Sequence, residues 1–504
     1  MTHTPDHVPS PTASSDEATL AAMGYKQELS RRMKGFSNFA ISFSIICILS
    51  GGINSLGQGI SSIGGASIGI GWPVGCLVSV LFALGMAQIG SAYPTAGGLY
   101  HWSSVLGGRG WGWLTAWLNL IGLVTVLGAI NVGTYSFFMS AFGDALGLKA
   151  TLGTQATFVI VITAIQALVN HFGIRLTTRL TDLSGYLIFA VTIVLTVALL
   201  AFAPHIDVSR LVTFTNYSGD AGGGVWPQNT STASLFLLCL LLPVYTITGF
   251  DASAHTAEET MDAQRAVPRG IVSSVVWASL FGWIMLIAVV LAIPDMKAAA
   301  ASGYGVFVYA MGILPGWLRV LLYVGIFVAQ FMCGLATVTS VSRMTYAFAR
   351  DGGLPFSGVL RGIHPVLKSP VAAIWVMSAI SILFTLYTPV YSTIVSVTVI
   401  FIFLSYGLPI VLGLFAYGRT WTRMGPWSIG GAYRVVATLV AAAMVGIFVV
   451  GVQPPNDKAL PITAGFLLLT AVVWFGLERR RFAGPPNLEA LHVPPVHVSE
   501  AGAD

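Results

Sequence analysis

The chain has 504 residues, 55% of them hydrophobic and only 9% charged, and a mean hydropathy of +0.81. This excludes a soluble globular domain, in which about a quarter of the residues carry charge. Lys and Arg number 24 against 19 Asp and Glu, a net charge of +5, but the basic residues are scattered over loops and tails, so no nucleic-acid partner is expected and an all-α polytopic membrane protein remains.

In chain order, residues 1–30 are Pro-, Ser- and Ala-rich and predict a disordered tail without the basic and apolar runs of a cleaved signal peptide. At about 20 apolar residues per crossing of a roughly 30 Å bilayer core, twelve spans follow, starting near residues 36, 72, 111, 153, 181, 233, 270, 317, 371, 391, 431 and 461. Spans 1–5 fill residues 34–204, spans 6–10 fill 232–418, and spans 11–12 fill 430–478, before a second disordered tail over 482–504. Cys47, Cys76, Cys239 and Cys333 lie inside apolar spans without metal-ligand spacing and read as small packing residues. No catalytic or metal site and no cofactor is expected, because neither a phosphate-binding Gly-rich loop nor a nucleophile motif is present.

Positive residues stay on the cytoplasmic side of a membrane protein. With the N-terminus inside, nineteen of the 24 Lys and Arg fall on inner segments, leaving Lys149, Arg210, Lys297, Arg319 and Lys458 outside. This sorting predicts an even number of crossings, both termini cytoplasmic, and a multi-pass protein of the cell membrane.

Spans 1 and 6 are each broken by polar, Gly-containing sequence: Ser50-Gly51-Gly52-Ile53-Asn54 in one, Thr246-Ile247-Thr248-Gly249-Phe250-Asp251 in the other. Unwound backbone is tolerated at membrane depth only where a ligand, an ion or a water-lined cavity satisfies it, and a pair of such breaks at matching positions marks a secondary transporter. Gly51 and Gly52 would let the N–H groups of Gly52 and Ile53 approach a carboxylate at a positive helix end. Carbonyls of Tyr245, Thr246 and Thr248 would suit an ammonium at a negative one. The other reading is that the glycines only allow close helix packing. Asp251, His255 and Glu258 or Glu259 fall on one face if that stretch is helical, and an intramembrane acid beside an imidazole can hold a proton. Glu258 and Glu259, nearer the surface, are expected to pair with Arg265, Arg269 or loop arginines as gate residues. Asn54, Asn119, Asn131 and Gln330 either contact the ligand or bond between helices.

The stretches Ser91-Ala92-Tyr93-Pro94-Thr95-Ala96-Gly97-Gly98-Leu99-Tyr100, Gly249 to His255 with Glu258-Glu259, and Ser342 to Gly352 resemble the amino acid/choline transporter branch of the amino acid-polyamine-organocation superfamily, nearest to permeases for 4-aminobutyrate and choline. The resemblance implies a leucine-transporter-type fold with 5+5 inverted repeats and broken helices 1 and 6. It also implies a substrate-covering aromatic gate at Tyr245. Ser50 and Gly249 complete the candidate substrate site. The hydroxyls of Thr337, Thr339 and Ser340 stand near the sodium position of the fold's sodium-coupled members, but with no acid nearby. Span 5 lacks the Lys of some proton-coupled relatives, and Asp262-Ala263 replaces a common Asn-Pro.

The function implied is import of an amino acid or related amine by alternating access, with protons as the coupling ion. The alternatives are a choline, ethanolamine or polyamine carrier, or a non-transporting sensor or channel.

Overall fold

The computed structural model of the protein describes residues 11–454, 456 and 458–488. Among these there is no strand, only isolated bridges Met33–Thr260 and Tyr417–Trp421. The helices are α1 (Pro11–Ala22), α2 (Gly35–Ile46), α3 (Gly51–Asn54), α4 (Leu56–Ile63), α5 (Trp72–Ala92), α6 (Leu99–Gly107), α7 (Arg109–Phe138), α8 (Leu152–His171) and α9 (Ile174–Phe202). There follow α10 (Thr232–Cys239), α11 (Leu241–Thr246), α12 (Ala252–His255), α13 (Ala263–Ala292), α14 (Met296–Ala301), α15 (Val306–Met311), α16 (Gly316–Arg350) and α17 (Ser357–Leu360). The last five are α18 (Val371–Tyr387), α19 (Tyr391–Ala416), α20 (Ala432–Gly451), α21 (Ala459–Val473) and the single turn α22 (Arg479–Arg481).

Ten helices among the described residues are long and apolar enough to cross a membrane, and Thr232–Thr246 and Val371–Tyr387 are shorter apolar ones. The outer helices turn apolar side chains such as Val161, Leu183, Val197, Leu383 and Leu468 to the exterior. An exposed apolar surface of this extent needs hydrocarbon around it. Inside it, α2 packs on α13, α9 and α16, while α7 packs on α19, α16 and α18. The broken helices therefore run through the middle, surrounded by long unbroken ones.

The N-terminal stretch corrects the expectation of a disordered tail over 1–30. Residues 11–22 are helical, and Leu20, Met23, Tyr25, Leu29 and Met33 are buried. Asp16 supplies the reason, because its carboxylate accepts the N–H groups of Asp262 at 2.7 Å and Ala263 at 3.1 Å. An acid beyond the chain start of α13 thus caps that helix, where unpaired N–H groups and the positive dipole end favour a carboxylate. At the other end, Phe482 is buried against Tyr100 and Phe348, so the expected tail over 482–504 begins as packed chain. Residues 1–10 and 489–504 of the two expected tails lie outside the described residues.

Candidate functional site

The first break is at Cys47–Ser50, slightly ahead of its expected place. Cys47 leaves the helical region, and Ser50 and Gly51 both donate their N–H to the Cys47 carbonyl, at 2.7 and 3.2 Å. Gly51 to Asn54 then start the next helical piece, whose first N–H groups have no intrahelical acceptor. Asn54 finds the Ser50 carbonyl at 2.8 Å. The Gly52 and Ile53 N–H groups have no acceptor among the described residues. The carbonyls lost at this break are held by α16: Gln330 Nε2 donates to Leu49 at 2.9 Å, and Cys333 Sγ to Ile45 at 3.1 Å. Gln330 is thus a prop for the break, and Cys333 does more than fill space.

The two glycines have different jobs. A Cβ on Gly51 would lie 2.8 Å from Thr246 Cα, so this glycine lets the two broken helices touch. A Cβ on Gly52 would meet Leu286, Trp72 and Met285 at 3.7–3.9 Å, an ordinary contact. The expectation that both are bare to admit a ligand is therefore corrected: only the close-packing reading accounts for Gly51, and the Gly52 face is roomy and apolar.

At the second break, α11 ends at Thr246, and Gly249 takes φ +90°, where any Cβ would collide with Ile45 Cγ2. No other residue fits this turn against α2. The Tyr245 carbonyl is taken by Thr248 Oγ1 at 2.7 Å, which corrects its expected freedom. The Thr246 and Thr248 carbonyls accept nothing among the described residues. The rest of the break leans on α2, where Ser42 donates to the Phe250 carbonyl and accepts the Ser253 N–H, each at 3.0 Å. Tyr245 is buried and meets Tyr391 edge to face at 6.3 Å; Tyr391 in turn meets Tyr304 at 5.8 Å and reaches Ser55 Oγ at 3.0 Å. A cavity of about 180 Å³ adjoins this cluster, lined by Ile53, Asn54, Ser136, Tyr304 and Tyr391 among others, with Tyr304 exposed on its wall.

Asp251 and His255 come together as expected at i and i+4, both fully buried, with Nε2 3.1 Å from Oδ2. Two partners come from distant helices: Asn119 Nδ2 donates to Oδ2 at 3.0 Å, and the Tyr406 hydroxyl donates to Oδ1 at 2.7 Å while accepting the Gly249 N–H at 3.0 Å. His255 Nδ1 stands 3.2 Å from the Ala96 carbonyl.

Glu258 and Glu259 do not continue that face, because α12 stops at His255 and a tight turn follows. Their partners are also corrected. Arg350 grips Glu258 with two contacts of 3.0 Å, and Arg343 grips Glu259 at 3.0 and 3.2 Å, both from α16 rather than from Arg265 or Arg269. Arg265 pairs with Asp262. Two-point guanidinium–carboxylate contacts are the strong ones, and the Glu259 pair is fully shielded from solvent. The Glu259 carbonyl also accepts from Arg32 and Met33 at 2.8 Å each, and the Ala96 N–H donates to Glu258 at 3.1 Å. Over this rests the N-terminal segment, with Tyr25 under the Arg350 guanidinium at 3.9 Å and its hydroxyl on Asp351 at 2.7 Å. Tyr100 donates to the same carboxylate at 2.9 Å. Burial pushes the Asp351 carboxyl up to about 6, against the pull of Arg350 and the two hydroxyls. This Arg-rich face is sealed, while the opposite face keeps the cavity.

The hydroxyls of Thr337, Thr339 and Ser340 do not converge. Thr337 bonds its own helix, Thr339 turns to Asn170 at 2.7 Å, and Ser340 has no partner among the described residues. Asn131 serves α8 through Thr163 and Gln166. Tyr391 and Tyr406 escaped the sequence reading because an aromatic inside an apolar span carries no local mark; only their positions across from the breaks reveal them.

The sequence profile of the amino acid permease family matches residues 33–477. The amino-acid permease BAT1 of Arabidopsis thaliana is 32% identical, over 94% of this chain and 97% of its own. Its homolog in rice, Oryza sativa subsp. japonica, is 32% identical over 93% and 95%. The GABA-specific permease of Saccharomyces cerevisiae is 26% identical over 93% and 86%. With a match of this extent over two broken helices that touch at Gly51 and Thr246, the chain belongs to the amino acid permease family.

Proposed function

We propose that this permease imports an amino acid or related amine such as 4-aminobutyrate by alternating access, coupled to protons, with twelve crossings arranged as two inverted five-helix units over 34–204 and 232–418 and peripheral spans over 430–478. The observation that carries the substrate class is that, among the described residues, the N–H groups of Gly52 and Ile53 lack acceptors and the carbonyls of Thr246 and Thr248 lack donors, on two broken helices that touch where Gly51 faces Thr246. A carboxylate suits the first set and an ammonium the second, each at the helix end of matching dipole sign. Tyr245, backed by Tyr391, covers the substrate, with Ser50, Gly51 and Gly249 shaping the backbone around it. Asp251 and His255 carry the proton, and Glu258 and Glu259 close the inner gate.

In this reading the Arg-rich face is cytoplasmic, both termini lie there, and the protein sits in the cell membrane with the cavity toward the outside. The sealed inner face then makes the described state one that receives substrate from outside.

Counterflow into proteoliposomes tests the reading. A labelled amino acid should accumulate transiently against unlabelled substrate, and replacing the substrate carboxylate by an uncharged amide should weaken binding by tenfold or more, about 1.4 kcal/mol. Indifference to that change, with choline as a competitor, would mark an organocation carrier. Binding without flux would mark a sensor, and flux without saturation a channel.

A further inference from the structure

The hydrogen bonds around Asp251 and His255 count the protons between them. A carbonyl only accepts, so the contact of 3.2 Å to Ala96 requires a hydrogen on His255 Nδ1. Tyr406 receives the Gly249 N–H, so its own hydrogen goes to Asp251 Oδ1, and Asn119 gives an N–H to Oδ2. Between Nε2 and Oδ2, 3.1 Å apart, one proton is then needed. Without it a ring lone pair would face a carboxylate in a fully buried site, and an unpaired buried charge is strongly unfavourable. The pair is neutral as a whole, either as carboxylate and imidazolium or as carboxylic acid and imidazole.

The Ala96 residue that orients His255 through its carbonyl also donates its N–H to Glu258 at 3.1 Å, and Glu258 is gripped by Arg350. Other groups facing the pair are Tyr406 from α19, with Asn119 and Ser405 bonded to each other beside it. Glu259 and Arg343 are spent on each other. One residue of the Tyr93–Gly98 turn therefore joins the proton site to the inner ion pair.

We propose, resting on the proton-coupled reading above, that Asp251 and His255 store one shared proton while the inner gate is closed, and that parting of Glu258 from Arg350 withdraws Ala96 and releases that proton to the cytoplasm. On opening, His255 loses its Nδ1 acceptor and water reaches the pair. The bridging proton passes from Nε2 or Oδ2 to water, leaving a carboxylate beside a neutral imidazole, and a proton from outside restores the pair after the gate closes. Ala96 and Glu258 act as positioning groups and do not touch the proton.

The test uses the full chain in proteoliposomes with an internal pH dye, recording proton entry on substrate addition, the pH midpoint of uptake, and exchange at equal concentrations as the measure of folded carrier. Wild type should move protons with substrate. His255→Gln should keep exchange and lose proton entry. Glu258→Gln and Arg350→Gln should keep proton entry but move the pH midpoint toward acid by about one unit, a tenfold weaker proton hold. Arg350→Lys, which retains charge and loses the two-point grip, should move it the same way by less. No proton entry in wild type would overturn the coupling reading itself. Proton entry that survives His255→Gln would overturn the stored-proton pair. A pH midpoint unmoved in all three gate variants, with wild-type coupling intact, would overturn the link through Ala96 alone.

Discussion

The first break presents backbone: N–H groups at Gly52 and Ile53, propped from behind by Gln330 and Cys333 of α16, with no acidic or basic side chain between Cys47 and Asn54. The second presents free carbonyls at Thr246 and Thr248, and within one turn it becomes a charged segment, with Asp251 and His255 held by α7 and α19 and Glu258 and Glu259 held by α16. The same backbone event thus yields a dipolar site on one broken helix and a charged one on the other. On the proposed alternating-access reading the element that changes with state is the second segment, whose ion pairs can part, because backbone N–H groups do not titrate.

Removing the charges of the second segment should have the largest effect. Arg343→Met leaves Glu259 buried and unpaired and should destabilise the fold by about 3–5 kcal/mol, whereas the double change with Glu259→Met should recover most of it. Thermal unfolding in detergent reads both; a double variant as unstable as the single would mean that shape, not charge, matters there.

Gly249→Ala comes next. Its Cβ would collide with Ile45 and its φ of +90° would strain the backbone, for a loss of about 2–4 kcal/mol. Within the first break the glycines should separate. Gly51→Ala pushes on Thr246 Cα and should cost about 1–3 kcal/mol, while Gly52→Ala should stay within about 1 kcal/mol and keep uptake, since its Cβ meets neighbours only at ordinary contact distance. Equal losses in the two would erase the distinction drawn between them.

The smallest effect concerns Asp351 beneath the N-terminal segment. A carboxyl raised to about 6 binds its proton more tightly when buried than when hydrated, so the docked segment gains stability as pH falls through about 6 toward the ordinary value near 4 and loses it as pH rises. Hydrogen-exchange protection of residues 20–33, corrected for intrinsic rates, should rise on that descent in wild type and stay flat in Asp351→Asn.

Much of this architecture was written locally. Long apolar runs fix where helices cross, the polar interruptions near Gly51 and Gly249 fix where they break, and the i, i+4 spacing of Asp251 and His255 fixes that the two meet. Other features had no local mark. Residues 11–30 look like a solvated tail, and only the N-terminus of α13, left without a capping side chain of its own and reached by Asp16, explains their order. Arg265 and Arg269 are nearest to Glu258 and Glu259 in sequence, yet α16 brings Arg343 and Arg350 across to give these buried carboxylates two-point partners, while Arg265 in the first turn of α13 pairs with Asp262.

By itself, then, the sequence determined the membrane class, the helices and the two breaks, all properties of short stretches that follow from hydropathy and backbone preference. The tertiary structure alone decided which groups face which: Tyr391 behind Tyr245, Tyr406 and Asn119 on Asp251, Ala96 between His255 and Glu258. These contacts join residues up to about 160 positions apart, and a hydrogen bond depends on distance and direction in space, which no local pattern of residue types encodes.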